Sequence, residues 1–131
     1  MIWVQAIAIG GISRLVRRAA PRSGTVAHWG HNVRVAARVL LLLVVAQLLQ
    51  IAAWAALFVG CGEFNDFSTA FYHSAMNFTT LGYGDIVMSP AWRLLGPLEG
   101  VAGMLMFGVS TAALFRVIET LIRYREGPRS E

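Results

Sequence analysis

A single cysteine, no lysine and only seven acidic residues among 131 positions deny this chain most of what soluble enzymes and secreted scaffolds are built from. Cys61 stands alone, so no disulfide can form within the chain. It sits between Gly60 and Gly62 and reads as a small apolar residue at the end of a helix. Charged residues make up 14% of the sequence, against about 25% in soluble domains. Charge is absent altogether from Val39 to Val59, and Leu94 to Leu114 carries only Glu99. No Ser/His/Asp set, phosphate-binding loop or cluster of metal ligands occurs, so the sequence gives no sign of an enzyme or of a bound cofactor. There is no internal repeat.

What is present is apolar. Hydrophobic residues reach 56%, in blocks rather than in alternation. A helix crosses the hydrocarbon core of a bilayer with roughly 20 apolar residues, and both charge-poor stretches are that long. Spans are therefore expected over about 36–60 and 92–118, the first helix beginning near Asn32. The net charge of +4 would suggest nucleic acid in a soluble protein, but its distribution excludes that partner. Arg14, Arg17, Arg18, Arg22, Arg34 and Arg38 precede the first span; Arg116, Arg123, Arg125 and Arg129 close or follow the second. Between the spans stand Glu63, Asp66 and Asp85 against Arg93 alone. By the positive-inside rule both termini face the cytoplasm and the central loop faces outward, in a multi-pass protein of the cell (inner) membrane. Gln47 and Gln50, one turn apart, should share a side facing protein, where such hydrogen bonds are worth about 1 kcal/mol or less.

Residues 1–31 read as a cytoplasmic or interfacial segment. Met1 to Ile12 is too short to span and has its positive charge on the wrong side for a signal peptide. A helix lying on the membrane surface is the favoured reading, with the stump of an earlier span as the alternative. Arg14 to Arg18 is too short a run for a voltage sensor. Pro21 to Gly30 reads as a linker, where Trp29 anchors at the interface and His28 and His31 form too weak a set to bind metal. Residues 122–131 read as a short cytoplasmic tail.

The distinctive segment lies between the spans. Asp66 or Ser68 can cap a helix over about 67–79, too short to cross a membrane, and Thr79-Thr80-Leu81-Gly82-Tyr83-Gly84-Asp85 follows it. Backbone that dips into a bilayer and returns unpaired must be covered by protein or water, which calls for several copies around a pore. The pattern resembles the pore module of two-transmembrane-helix potassium channels, over about Ala36 to Ile118 and most strongly from Phe71 to Asp85. The resemblance implies an all-α membrane protein: two transmembrane helices flanking a re-entrant pore helix and selectivity-filter loop, assembled as a homotetrameric pore in membrane lipid. Residues 32–121 are then the pore domain, with its filter at 80–84, conducting K+ passively. A weakly selective cation channel, or a non-conducting subunit that needs a partner, are the other functions considered.

A dehydrated potassium ion takes about eight oxygen ligands, held weakly enough to leave. Successive carbonyls can point one way only if alternate residues adopt left-handed or unusual dihedrals, which glycine permits. The carbonyls of Thr80, Leu81, Gly82 and Tyr83 with the Thr80 hydroxyl are therefore the expected ligands, and Gly82 and Gly84 give the backbone its freedom. Leu81 replaces the Val or Ile common in the family. Thr79 should end the pore helix. By resemblance, Tyr72 and His73 occupy the aromatic cuff that braces the filter, so one of them should hydrogen-bond Tyr83 or Asp85. Met76 stands where some relatives place a glutamate that pairs with the aspartate, leaving Asp85 without that partner. Gly103 matches the family's hinge glycine; Gly108, Ser110, Thr111 and Ala112 would lie lower, along the cavity or gate. Glu99, an intramembrane carboxylate, is expected to pair with Arg93 or with a pore-helix group such as Asn77, or else to sense protons.

Overall fold

A computed structural model describes residues 2–19 and 29–126, with side chains over 3–14 and 33–120. Every regular element among them is helical: α1 (Ile2–Ala19), α2 (Trp29–Gly60), α3 (Phe67–Phe78) and α4 (Leu95–Glu126). His28 and the side chains of Trp29 and His31 lie outside the described residues. Val33–Gly60 and Leu95–Thr120 are long and apolar enough to cross a bilayer; the shorter is about 39 Å long at 1.5 Å per residue.

The boundaries moved for local reasons. α2 begins at Trp29, inside the segment read as linker. α4 starts at Leu95 rather than 92, because residues 91–94 form turns in which the Trp92 and Arg93 amides both donate to the Ser89 carbonyl. Pro97 falls in the first turn of α4, where an amide would have no helical partner. No glycine or proline follows Gly108 until Gly127, so nothing stops α4 at 118 and it runs on into the segment read as tail.

α1 departs from the expected surface helix. It is 18 residues long, continues through the arginines, and runs alongside α2 and α4. Gln5 Nε2 donates to Ser110 Oγ at 2.7 Å, and Gln50 Nε2 donates to Gln5 Oε1 at 3.0 Å. Ile12 packs with Val39, Leu43 and Val117. These pairings make α1 antiparallel to α2 and parallel to α4. The cause is Gln5: Gln47 also donates to Ser110, at 3.0 Å, so three helices share one buried polar knot, where each amide nitrogen finds an acceptor that lipid would not offer, while Gln50 Oε1 accepts no hydrogen bond among the described residues. Trp3 and Ile7 remain exposed.

One stripe of α2 is buried along its length. Val39, Leu43 and Gln50 face α1, with Val35 buried one turn before them, while Ala55 and Phe58 face α3. Around Phe58 the rings of Phe64 and His73 meet edge-on, at 6.4 and 5.7 Å between centroids, an arrangement that suits the ring quadrupoles. α4 divides in the same way, its upper turns against α3 and its lower turns against α1 and α2. Leu40, Leu41, Leu49, Leu98, Met104, Leu105 and Phe115 are more than half exposed in the single chain. So large an apolar surface suits lipid or further subunits, not water.

Candidate functional site

Asp66 fixes the start of α3. In extended backbone at φ −126°, its Oδ2 accepts from the Thr69 amide at 2.7 Å and from the Thr69 hydroxyl at 2.8 Å. These bonds favour the ionised form and hold the carboxyl below its ordinary pKa. The helix ends at Phe78. Thr79 is its C-cap, as expected, with its amide and hydroxyl both turned back to the Ala75 carbonyl.

The chain then reverses without forming a helix or strand. The Thr80 amide donates to the Asn77 carbonyl at 2.9 Å, and the Leu81 and Gly82 amides share the Met76 carbonyl at 2.9 and 3.1 Å. Thr80, Gly82 and Gly84 have φ of +59°, +54° and +74°. Every second residue is therefore left-handed, the alternation needed to align successive carbonyls. Glycine adopts this without penalty at two of the places; Thr80 does so at a cost of order 1–3 kcal/mol. Among the described residues, no hydrogen bond is accepted by the carbonyls of Thr80, Leu81, Gly82 or Tyr83.

Behind this loop stand the residues singled out as supports. The Tyr72 hydroxyl donates to Asp85 Oδ2 at 2.8 Å, giving Asp85 the partner that Met76 cannot supply. His73 reaches past Asp85: its Nδ1 lies 3.1 Å from the Ile86 carbonyl, and Asn77 Nδ2 lies 2.9 Å from its Nε2. A carbonyl only accepts and an amide nitrogen only donates, so these partners assign the proton to Nδ1 and leave Nε2 bare. A third tie was not foreseen. The Glu63 carboxylate accepts from the Ser89 amide and, at 2.8 Å, from the Ser89 hydroxyl, which lowers its pKa. A pairing across 26 residues cannot be read from spacing.

α4 approaches α3 through glycines. A Cβ on Gly96 would meet the Asn77 amide nitrogen at 3.3 Å, and one on Gly100 would meet the Asn77 carbonyl oxygen at 3.4 Å. On Gly103 it would run into the Phe78 carbonyl oxygen, with the carbonyl carbon at 2.9 Å. Gly103 therefore packs at the seam between helices, within a helix that runs unbroken through it. Nothing lies within 4 Å of a Cβ on Gly108. Glu99 sits in the same seam, fully buried. Its expected ion pair with Arg93 is absent among the described residues: Arg93 is exposed in the turn before α4, and the Glu99 carboxyl instead meets the Ser74 hydroxyl. Asn77 lies beside the carboxyl, as expected, but its amide nitrogen bonds His73. Nothing in the sequence around Ser74 singles it out as the partner of Glu99.

The arrangement is a short capped helix held between two bilayer-length helices, leading into a loop of unpaired carbonyls. No solved structure matches the chain. The model of a family described as ion channel matches residues 41–120, which takes in most of α2, all of α3 and the loop, and α4 as far as Thr120. The chain belongs to the ion channel family.

Proposed function

We propose that this chain is one subunit of a potassium-selective channel, four copies of which surround a central axis in the cell membrane. The carbonyls of Thr80, Leu81, Gly82 and Tyr83 and the Thr80 hydroxyl form stacked cages for K+. The observation that carries this reading is the left-handed alternation at Thr80, Gly82 and Gly84 together with carbonyls that accept no hydrogen bond. These residues are exposed in one chain; once neighbouring copies cover them their carbonyls would need a partner, and a weakly held cation shared among four copies would supply one. Leu81 and Tyr83 are 53% and 68% exposed in one chain. Covering them needs neighbouring copies, which supports a closed ring.

Tyr72 and Asp85, with His73 behind them, brace the outer end of the filter, and Thr79 sets its inner end. Gly108, with no neighbour within 4 Å in the single chain, is the better place for the gating bend; Gly103 is committed to the Phe78 contact. The C-terminal end of α4 lies in the cytoplasm, which would place Cys61 at the outer surface; α1, antiparallel to α2 with Gln5 at the level of Gln50, runs back towards that surface, so its first turn departs from the cytoplasmic placement expected of the N-terminal segment. A membrane-impermeant thiol reagent added outside intact cells should label Cys61, and labelling only after permeabilisation would reverse the orientation.

The deciding experiment uses purified protein in liposomes with a potassium gradient. Flux that barium blocks and that sodium cannot replace supports the proposal. Equal flux of both ions would point to a weakly selective cation channel. No flux in any ion would point to a subunit that needs a partner.

A further inference from the structure

Glu99 is the one acidic side chain between Leu94 and Leu114, and the residues around it offer no counter-charge. α2 carries none between Val39 and Val59. On α3 the nearest titratable group is His73, whose partners assign it one ring proton. On the α4 side, Arg93 is exposed. An ionised carboxylate here would be a buried charge without a cation, an arrangement proteins avoid because desolvation costs several kcal/mol.

The hydrogen bonds can be counted. Ser74 Oγ lies 2.9 Å from the Ile51 carbonyl oxygen of α2 and in contact with Glu99 Oε1 of α4. A serine hydroxyl has one proton, and a carbonyl and a carboxylate can both only accept. Two bonds at this node therefore need a second proton. The carboxyl oxygen facing Ser74 is the only atom of the three that can carry it. The other oxygen, Oε2, is buried without a hydrogen bond among the described residues, tolerable for a neutral carbonyl and costly for half of a carboxylate.

We propose that Glu99 is a positioning residue of the filter and works as a neutral carboxylic acid: it donates to Ser74, and Ser74 donates to Ile51. One relay thus ties α4, α3 and α2 together behind the filter. What it positions is specific. Ser74 immediately precedes Ala75, Met76 and Asn77, whose carbonyls hold the amides of Thr79, Thr80, Leu81 and Gly82. A shift of α3 at Ser74 passes directly to the residues assigned as ion ligands. This role rests on the filter reading above, whereas the protonation state does not.

The test compares the parent, Glu99→Gln, Glu99→Ala and Ser74→Ala channels in lipid at neutral pH. The infrared difference between parent and Glu99→Gln should contain the carbonyl stretch of a protonated carboxylic acid. A carboxylate pair of bands in its place overturns the proposal, whether or not the protein conducts. Gln, always neutral and able to donate, should keep potassium flux and the preference for potassium over sodium. Ala at either position should lower the flux by about tenfold or more and weaken the ion preference, since a buried partner is left unpaired. If Glu99→Gln behaves like Glu99→Ala, the group acts as a charge and the proposal fails. If Glu99→Ala behaves like the parent, the relay positions nothing. Should Glu99→Ala fail to assemble, Glu99→Gln and Ser74→Ala give the same decision: the first must match the parent and the second must not.

Discussion

Alanine at Gly103 and alanine at Gly108 should shift the stability of this protein in opposite directions. At Gly103 the new methyl collides with the Phe78 backbone, its carbonyl carbon at 2.9 Å and its Cα at 3.2 Å, where carbon atoms normally rest at about 3.5–4.0 Å. Neither atom belongs to a side chain that can rotate away. α3 and α4 must part by about 1 Å, and overpacking of this kind costs about 1–3 kcal/mol. Alanine returns up to about 1 kcal/mol through its better helix propensity. With rigid backbone as the obstacle, the net loss is about 2 kcal/mol, roughly thirtyfold in an equilibrium constant. At Gly108 nothing lies within 4 Å of the added carbon, so only the propensity gain of about 1 kcal/mol remains. The assay is the temperature at which each purified variant loses its assembled form in detergent, followed by potassium flux in liposomes. Gly103→Ala should melt lower and conduct less, because Phe78 leads directly into Thr79 and Thr80. Gly108→Ala should melt at or above the parent while opening less readily, as expected of a stiffened bend. The reasoning is refuted if Gly103→Ala is as stable as the parent, or if both variants move the same way.

Other perturbations test other contacts. Tyr72→Phe removes the donor to Asp85 and should make the potassium current decay several-fold faster in low potassium, while assembly is unchanged; identical decay in patch recordings would dismiss the brace. Ser89 holds the Glu63 carboxylate below its ordinary pKa of 4.5, so the tie stabilises the folded form above that pH and is lost as pH falls through the lowered value. Thermal stability should therefore drop below pH 4.5, and Glu63→Gln should shrink that drop. Gln5→Ala should free α1 for cleavage in limited proteolysis yet cost about 1 kcal/mol or less, as interhelical hydrogen bonds in lipid do. Replacing potassium by sodium should lower the melting temperature of the assembled protein, since an ion at 100 times its dissociation constant contributes about 2.7 kcal/mol.

Local signals in the sequence were strong where chemistry is local. Asp66 caps α3, Thr79 ends it, and Gly82 and Gly84 take the left-handed conformations, because each of these depends on a few neighbouring residues. The two apolar spans could be read from length alone, although not their ends: α2 begins at Trp29, inside the segment read as linker, and α4 at Leu95, where turn bonding rather than composition decides. What spacing could not show were pairings across long separations. Ser110 meets Gln5, Ser89 meets Glu63, and Ser74 meets Glu99. The residues next to each serine give no reason to expect its partner. Gly103 shows a different limit. A glycine in an inner helix can mark a bend or a close approach, and only the position of the Phe78 carbonyl separates the two.

That separation constrains how α4 can move. Its upper turns are held at Gly96, Glu99, Gly100 and Gly103 by backbone contacts and by the buried hydroxyl of α3. Its lower turns are held by softer means: one hydroxyl at Ser110, shared by two glutamines, and the aliphatic contacts of Leu114 and Val117 with Ile12, Val39 and Leu43. Interhelical hydrogen bonds of the lower kind are worth about 0.6 kcal/mol each in lipid, whereas parting the glycine seam costs several times more. Motion of the C-terminal end of α4 therefore has its cheapest route below Gly103, with Gly108 the one glycine on the way and nothing within 4 Å of it in the single chain. A channel bending there would keep its filter geometry fixed while α1, tied to both α2 and α4, moved with or resisted the lower half. Freeing α1 by Gln5→Ala should then alter the fraction of time open without altering the preference among ions. A change in ion preference would mean that the two halves of α4 are not independent.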